Sequence, residues 1–504
     1  MSRYEGVVST RRHTGPMSTA TTTVDWRRVS ARRLARAGLA GGGQMSGAAG
    51  AAAGGAGRAS GAGGAATAGG AGEAASAGGA SRAGGAASVG GADQAASAGS
   101  TGRAASAGGA DQAASLGGAD PMAGPAAAAG LADARAARVA GGADMSAAAA
   151  DPAATVAAMA GAHAQIMSAA ELSVALRMVG ARAGDVRGAV WGERSLTKTF
   201  GPRGTVHLLP TAELGAWLGA LSALPPIVER FPADVRLTPD QLDAVLAAVG
   251  TALAGTELTV DELDAAVGEL TGPWAVEEVM PAFQTMWPRW RQAMGMAAHR
   301  GVLCFGAGRG RKVTYTNPDV KPAAADDALA TVVGDYLWSY GPATPPQFAK
   351  WFGGTPAWGA EVFARLASAG SIEEVDFDGA SAWVAAGDTA FEDTEPAGVR
   401  LLPYFDAYGV AGQPRDQLFP GRAAERALTR GQAGNRPILL VDGVVAGIWH
   451  LRRSGRRATV TVEAFRTLNR AHSAALEQQV ARVAEILDLA SELVLGEVEA
   501  GPHA

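Results

Sequence analysis

The chain has 504 residues, 48% of them apolar, a formal charge of −5 and one cysteine, Cys304. A single cysteine excludes a disulfide framework, a cysteine-rich zinc site and a four-cysteine iron–sulfur cluster, and no apolar run approaches the length of a membrane span. The net charge does not mark a nucleic-acid binder, but binding follows local basic patches rather than the total, and arginine, suited to bidentate phosphate contacts, far outnumbers lysine.

From the N-terminal side, "VDWRRVSARRLARAGLA" (24–40) places Trp26, Val29, Leu34 and Ala37 near helical spacing with arginines opposite, an amphipathic helix in need of a partner. The same stretch also passes for a transit peptide; the N-terminus lacks the hydrophobic core of a secretory signal. Residues 41–149 follow as a glycine- and alanine-rich segment without an aromatic residue, in which "GGADQAAS" occurs twice, at 90–97 and 108–115. Such a segment buries too little apolar surface to offset its ordering entropy, and a disordered low-complexity insertion is expected.

Folded structure is expected to resume at "DPAATVAAMAGAH", with Asp151 as N-cap and Pro152 at the first helical position. A helix over about 169–182, a second opened by Asp185 and the alternating strand "GTVHLLP" (204–210) complete a helix, helix, helix, strand order. With 24–40 supplying its first helix across the insertion, this predicts a winged-helix unit over 24–40 and 150–235. A second cycle spans 236–320. It has a capping box at Thr259 and Glu262, a helix over 287–301 and the hairpin "VLCFGAGRGRKVTYTN", tipped by Arg309, Arg311 and Lys312. A third cycle spans 321–390. The remainder, 391–504, reads as a β-rich element: Asp442-Gly443 marks a hairpin, "RRSGRR" (452–457) a basic turn, and a last helix is expected over about 466–495.

The basic clusters are the first functional signal. Arg27 and Arg32 on the first helix, Lys198, the tip residues Arg309, Arg311 and Lys312, and Arg452, Arg453, Arg456 and Arg457 are expected to touch phosphates along a duplex. Any one cluster by itself reads first as a solvated turn; it is the set of them that favours DNA. Metal chemistry finds no support: the seven histidines are scattered, without a His-x₃-His pair. Phosphate-loop and nucleophile-elbow motifs are absent too.

"AGAHAQIMSAAELSVALR" (160–177) holds the second signal. On an extended backbone His163 and Gln165 share a face with Ala164 turned away. A histidine orients or takes a proton near neutral pH, and a glutamine donates and accepts at once, so the pair suits aiming one water at an electrophilic carbon. On spacing alone the tripeptide reads first as a structural corner. His207 is a second polar group that can approach the same cleft.

Taken together, "AGAHAQ", "SAAELSVALR", "LTKTFGPRGTVHLLPTAELGAWL" (196–218), "SYGPATPPQFAKWFG" (339–353), "LLPYFDAY" (401–408) and "VDGVVAGIW" (441–449) resemble the winged-helix DNA glycosylases of the AlkZ/YcaQ type. The resemblance covers residues 24–40 and about 150 to 495. It implies an α+β fold of three tandem winged-helix units plus a β-rich C-terminal element, with a concave, C-shaped DNA-binding face. The implied activity is monofunctional hydrolysis of the N-glycosidic bond of alkylated purines: N7-alkylguanine, bulky genotoxin adducts or interstrand crosslinks. DNA repair or antibiotic self-resistance is the implied setting. Catalysis falls to His163 and Gln165, with His207, Arg203, Thr205 and Asp406 as possible support. Histidine stands where the family most often has its first glutamine, a departure that bears on substrate range. Double-stranded DNA carrying alkylated bases is the expected partner; a cytoplasmic, nucleoid-associated monomer without metal, cofactor or membrane contact is the expected state. A non-catalytic winged-helix regulator is the alternative, and alanine at His163 and Gln165 separates the two.

Overall fold

The computed structural model describes residues 21–40, 151–225, 231–282 and 285–499. The expected disordered insertion at 41–149 lies outside the described residues.

Strand β1 (Thr23–Val24) and helix α1 (Trp26–Arg36) begin the described chain, with Asp25 capping α1 through the Arg28 N–H at 3.0 Å. Helix α1 packs mainly outside the 150–235 region it was expected to join, with Gly38 just beyond it set against Arg177. β1 pairs in parallel with β10 (Ile372–Phe377), Thr23 opposite Asp376 and Val24 opposite Phe377. Val29 packs with Val375 and Val384, while Leu34 and Leu39 pack with Leu402, Tyr408 and Ile448. The helix is amphipathic, as read. Sequence order simply cannot say which apolar surface the helix covers, and here it straps the third helical cycle to the C-terminal sheet.

The first unit runs α2 (Pro152–Ala158), β2 (Ala162–His163), α3 (Met167–Ala175), α4 (Ala183–Trp191), β3 (Leu196–Phe200), β4 (Val206–Pro210) and α5 (Leu214–Ser222). Asp151 caps α2 as expected, accepting from the N–H groups of Ala153 and Ala154. Helix α3 stops at Ala175, short of the expected 182. The chain restarts at Arg182, whose N–H donates to Asp185 at 2.7 Å, so Asp185 stands three residues inside α4 rather than at its cap. The three strands form an antiparallel sheet in the order β2-β4-β3.

The second unit has α6 (Pro239–Ala252), β5 (Glu257–Thr259), α7 (Val260–Thr271), a short α8 (Pro273–Val276), the hairpin β6 (Glu278–Ala282) and β7 (Thr285–Pro288), α9 (Met294–His299), β8 (Cys304–Phe305) and β9 (Thr314–Thr316). The capping box holds: the Thr259 N–H donates to Glu262 at 2.7 Å and the Glu262 N–H to the Thr259 hydroxyl at 3.4 Å. The long helix expected over 287–301 is not formed. Trp287 and Pro288 belong to β7, a 3₁₀ turn covers Arg289–Ala293, and only Met294–His299 is α-helical. Proline has no N–H to give a helix, so the hairpin keeps the first two residues.

The third cycle comprises α10 (Ala325–Tyr340), α11 (Pro345–Phe352), α12 (Pro356–Ser368), β10 and β11 (Ala380–Ala385). Its aromatic core, with Tyr336, Phe348, Phe352 and Phe363 fully buried, also takes in Trp217 and Leu218 of α5. Burial of side chains this size stabilises by about 1.5–3 kcal/mol each, so α5 ties the first unit to the third.

The C-terminal region contains β12 (Val399–Leu402), the short helices α13 (Ala407–Ala411), α14 (Arg415–Leu418) and α15 (Arg422–Ala427), then β13 (Ile438–Val441), β14 (Val444–Ser454), β15 (Arg457–Ala464), α16 (Arg470–Leu487) and β16 (Ala490–Leu495). The strands make one sheet in chain order. Asp442 and Gly443 both have positive φ, 52° and 78°, the signature of the tight hairpin turn that the dipeptide promised. The last helix ends at Leu487, not 495: Asp488 turns left-handed at φ 53°, and 490–495 lie parallel to β15. Parallel neighbours need a crossover, and α16 is that crossover.

Candidate active site

Two left-handed residues, Ala160 (φ 50°) and Gly161 (φ 91°), turn the chain sharply out of α2 into β2. There the backbone is extended over Ala162–His163, and Gln165 lies two residues beyond, in the bend that leads into α3. His163 lies directly opposite His207 of β4, and the Ala164 N–H donates to the Val206 carbonyl at 2.7 Å. Gln165 is exposed and His163 is 9% exposed, so the two polar groups stand at the mouth and the wall of the same corner.

The His163 imidazole is held by rings rather than by hydrogen bonds to Nδ1, which is buried without a partner among the described residues. Phe405 stacks on it, with centroids 4.6 Å apart and planes 17° from parallel. His207 meets it edge-on at 5.1 Å. His207 is itself fixed: its Nδ1 is 2.9 Å from the Thr205 carbonyl, so Nδ1 carries the proton and Nε2 the lone pair. A Cβ on Gly201 would lie 2.8 Å from that Nδ1, so the residue packed against the ring has to be glycine. Arg203, left-handed at φ 61°, donates from its guanidinium to the Trp351 carbonyl of α11.

Electrostatics make both imidazoles neutral at physiological pH. Burial, then the nearby Arg203 charge, pulls the His163 pKa down to about 3. Burial, then His163 and Arg203, holds His207 well below its ordinary 6.5, although the Thr205 contact acts the other way. A histidine this weakly basic is a poor proton acceptor but a good fixed dipole.

Of the expected support residues, His207, Arg203 and Thr205 do meet around His163. Asp406 does not offer its carboxylate to the corner. It accepts from both terminal nitrogens of Arg177 at 2.8 Å, from the Ser173 hydroxyl at 2.6 Å and from the Tyr408 N–H at 3.0 Å. Its contribution is to pin its neighbour Phe405. Phe405, Arg177 and Ser173 were missed from sequence; the one available signal was an arginine inside the apolar run "SVALRMV".

The expected phosphate contacts divide. Arg32 is part-buried, over the Phe391 ring at 3.5 Å and donating to the Asp388 carbonyl at 3.0 Å, so that expectation is corrected; Arg27 is exposed and ion-paired with Asp393 and Glu395. Lys198 is half-buried with its ammonium 5.0 Å from the Phe305 ring, and burial lowers its pKa. It pairs with Leu208, one position from His207, and so leaves the sheet on the face away from the histidines. At the β8–β9 tip, Arg309 is paired with Glu262 and Lys312 with Asp261, while Arg311 is exposed. Arg452, Arg453, Arg456 and Arg457 are all exposed at the β14–β15 turn, with Arg456 2.9 Å from Asp488.

Among the described residues, no group of three His, Cys, Asp or Glu side chains is placed to hold a metal, and no helix is long and apolar enough to cross a membrane. Burial pushes the Cys304 thiol up to about 12, so it is not a reactive thiolate.

Residues 156–486 match the family model described as "DNA glycosylase AlkZ-like". An interstrand DNA cross-link repair glycosylase from Streptomyces sahachiroi is 31% identical over 338 residues, which is 64% of this chain and 87% of that protein. The solved structure of Streptomyces sahachiroi DNA glycosylase AlkZ shares 30% identity and superposes with a TM-score of 0.55, covering 68% of this chain and 93% of that one. A buried histidine pair beside an exposed Gln165, on a mixed α/β fold similar to that structure, is thus accompanied by a family match across most of the described residues. This chain belongs to the AlkZ-like DNA glycosylase family.

Proposed function

We propose that this glycosylase hydrolyses the N-glycosidic bond of alkylated purines in duplex DNA, N7-alkylguanines and their bulky or crosslinked forms, with His163 and Gln165 as catalytic residues. The regions 150–235, 236–320 and 321–390 act as three winged-helix units that take the duplex on one face, and 391–504 as the β-rich element beside them. The observation that carries the reading is the pairing of β2 with β4, which sets neutral His163 against neutral His207, with exposed Gln165 two residues beyond in the bend that follows the strand.

An N7-alkylated guanine is cationic and leaves with the bonding electron pair as a neutral purine, so the leaving group asks for little acid catalysis. The demand is to place one water at C1′ as the sugar gains oxocarbenium character. Gln165 accepts one water proton and donates to the water oxygen, aiming it. His163, too weak a base at a pKa of about 3 to take the proton early, orients water or sugar as a fixed dipole. As the water oxygen bonds to C1′ its proton passes to solvent. With Lys198 turned to the other face of the sheet, no described lysine stands ready to form a Schiff base, and no strand cleavage is expected.

The test is release of free base from duplex DNA bearing N7-methylguanine, by wild type and by Gln165→Ala. Release by the first and not by the second, at equal DNA affinity, is the expected outcome. Equal release by both removes the chemistry from this corner. Family membership displaces the non-catalytic regulator considered from sequence.

A further inference from the structure

A catalytic imidazole is normally oriented by a hydrogen bond from its second ring nitrogen to a carboxylate or carbonyl. At His163 that device is missing: Nδ1 is buried and unpartnered among the described residues, and the carboxylate nearest in the chain to its stacking partner, Asp406, is saturated by Arg177, Ser173 and Tyr408. What lies against the imidazole is the Phe405 face at 4.6 Å, with the His207 edge at 5.1 Å on a second side.

Phe405 is held there at a cost. Its φ of 55° puts a bulky L-residue in the disfavoured left-handed region, kept only where the surroundings over-determine it. The surroundings do so here. The Phe405 N–H donates to the Gly434 carbonyl at 2.9 Å, and Asp406 is clamped on the other side by a buried ion pair. A Cβ at Gly434 would come within 2.7 Å of Phe405 Cδ1, so the loop opposite is cut to fit this ring.

We infer that Phe405 is a positioning residue of the glycosylase reaction: its ring sets the plane of the His163 imidazole by stacking, where no hydrogen bond to Nδ1 does so among the described residues. The Arg177–Asp406 pair and Gly434 hold the ring in that place. The inference rests on the catalytic reading of His163 above.

A flat ring and an aliphatic side chain bury similar surface but only the first fixes an orientation, so Phe405→Leu, Phe405→Tyr and Phe405→Met separate positioning from packing. With N7-methylguanine duplex, Phe405→Leu should lower single-turnover kcat roughly 10- to 100-fold, the scale of a misplacement near one ångström, while DNA Kd stays at wild type. Phe405→Tyr should restore most of the rate. The His163 ring protons, shifted upfield by the stacked ring in the wild-type NMR spectrum, should lose that shift in the leucine variant and keep it in the tyrosine variant. Should Phe405→Leu fail to fold, Phe405→Met is expected to show the same kcat loss. Wild-type kcat in a folded leucine or methionine variant, with His163→Ala and Gln165→Ala inactive, would overturn this inference and leave the proposed chemistry standing. Wild-type kcat in His163→Ala and Gln165→Ala would overturn both.

Discussion

Two arginine-rich stretches that look alike on paper have opposite fates in this fold. In α1, Arg32 and Arg36 converge on Asp388, the latter at 2.6 and 2.8 Å, and Arg33 is fully buried, donating to the carbonyls of Gly341, Pro342 and Gln413. At the β14–β15 turn, Arg452, Arg453, Arg456 and Arg457 stand in solvent, with an exposed ion pair at Arg456 that contributes little. The difference lies in the apolar residues between the charges. Val29 and Leu34 give α1 a surface to bury, and its arginines go in with it; a hairpin turn has nothing to bury. Charge density in a sequence therefore marks a candidate DNA contact only where no apolar stripe accompanies it.

This contrast can be broken at its strongest point first. Asp388→Ala leaves Arg32 and Arg36 inside the protein without their counter-charge and is expected to cost about 3–5 kcal/mol in a denaturant melt. An unchanged midpoint would mean that α1 is not a structural strap. At the other stretch, alanine at all four of Arg452, Arg453, Arg456 and Arg457 should leave the melt within about 0.5 kcal/mol. It should weaken duplex binding, and the salt slope should fall by about 0.9 for each arginine that touches a phosphate. Unaltered salt dependence would take that turn off the DNA.

The histidine corner extends the comparison to protons. His163 and His207 have folded pKa values below their ordinary 6.5, so below that pH the unfolded chain binds protons the native one refuses. Their contribution to stability is full above pH 6.5 and is lost on acidification from there, for His163 down to about 3. The slope is about 1.4 kcal/mol per pH unit for each group. Excision by folded enzyme should then show no inflection near pH 6.5; an inflection there that His163→Ala removes would contradict the neutral-dipole role. The smallest effect is expected at Arg309→Ala. Glu262 already neutralises that arginine, so DNA affinity should fall less than for any exposed arginine of the 452–457 turn.

Much of the architecture was open to reading from residues. Caps at Asp151 and Thr259 and the Asp442-Gly443 turn are local signals, because each is satisfied within a few residues of itself. The errors fall where a distant partner decides. Residues 287–288 pair with β6 instead of starting a helix, 490–495 pair with β15 instead of ending one, and α1 packs some 350 residues away in sequence. The candidate site divides in the same way. His163, Gln165 and His207 announce themselves by type and spacing. Phe405 had no signal at all, since a phenylalanine in an apolar motif looks like core until the imidazole beneath it is seen.

By itself, then, the sequence determined the family and those elements whose signals are local, since helix caps and turn dipeptides are short-range physics, and it offered the candidate residues for the chemistry. Only the tertiary structure decided which arginines are buried, that Asp406 serves Arg177 rather than the site, and that both imidazoles are neutral. Burial and pairing depend on what arrives from elsewhere in the chain, and desolvation, the largest influence on both histidines, exists only once the corner is closed.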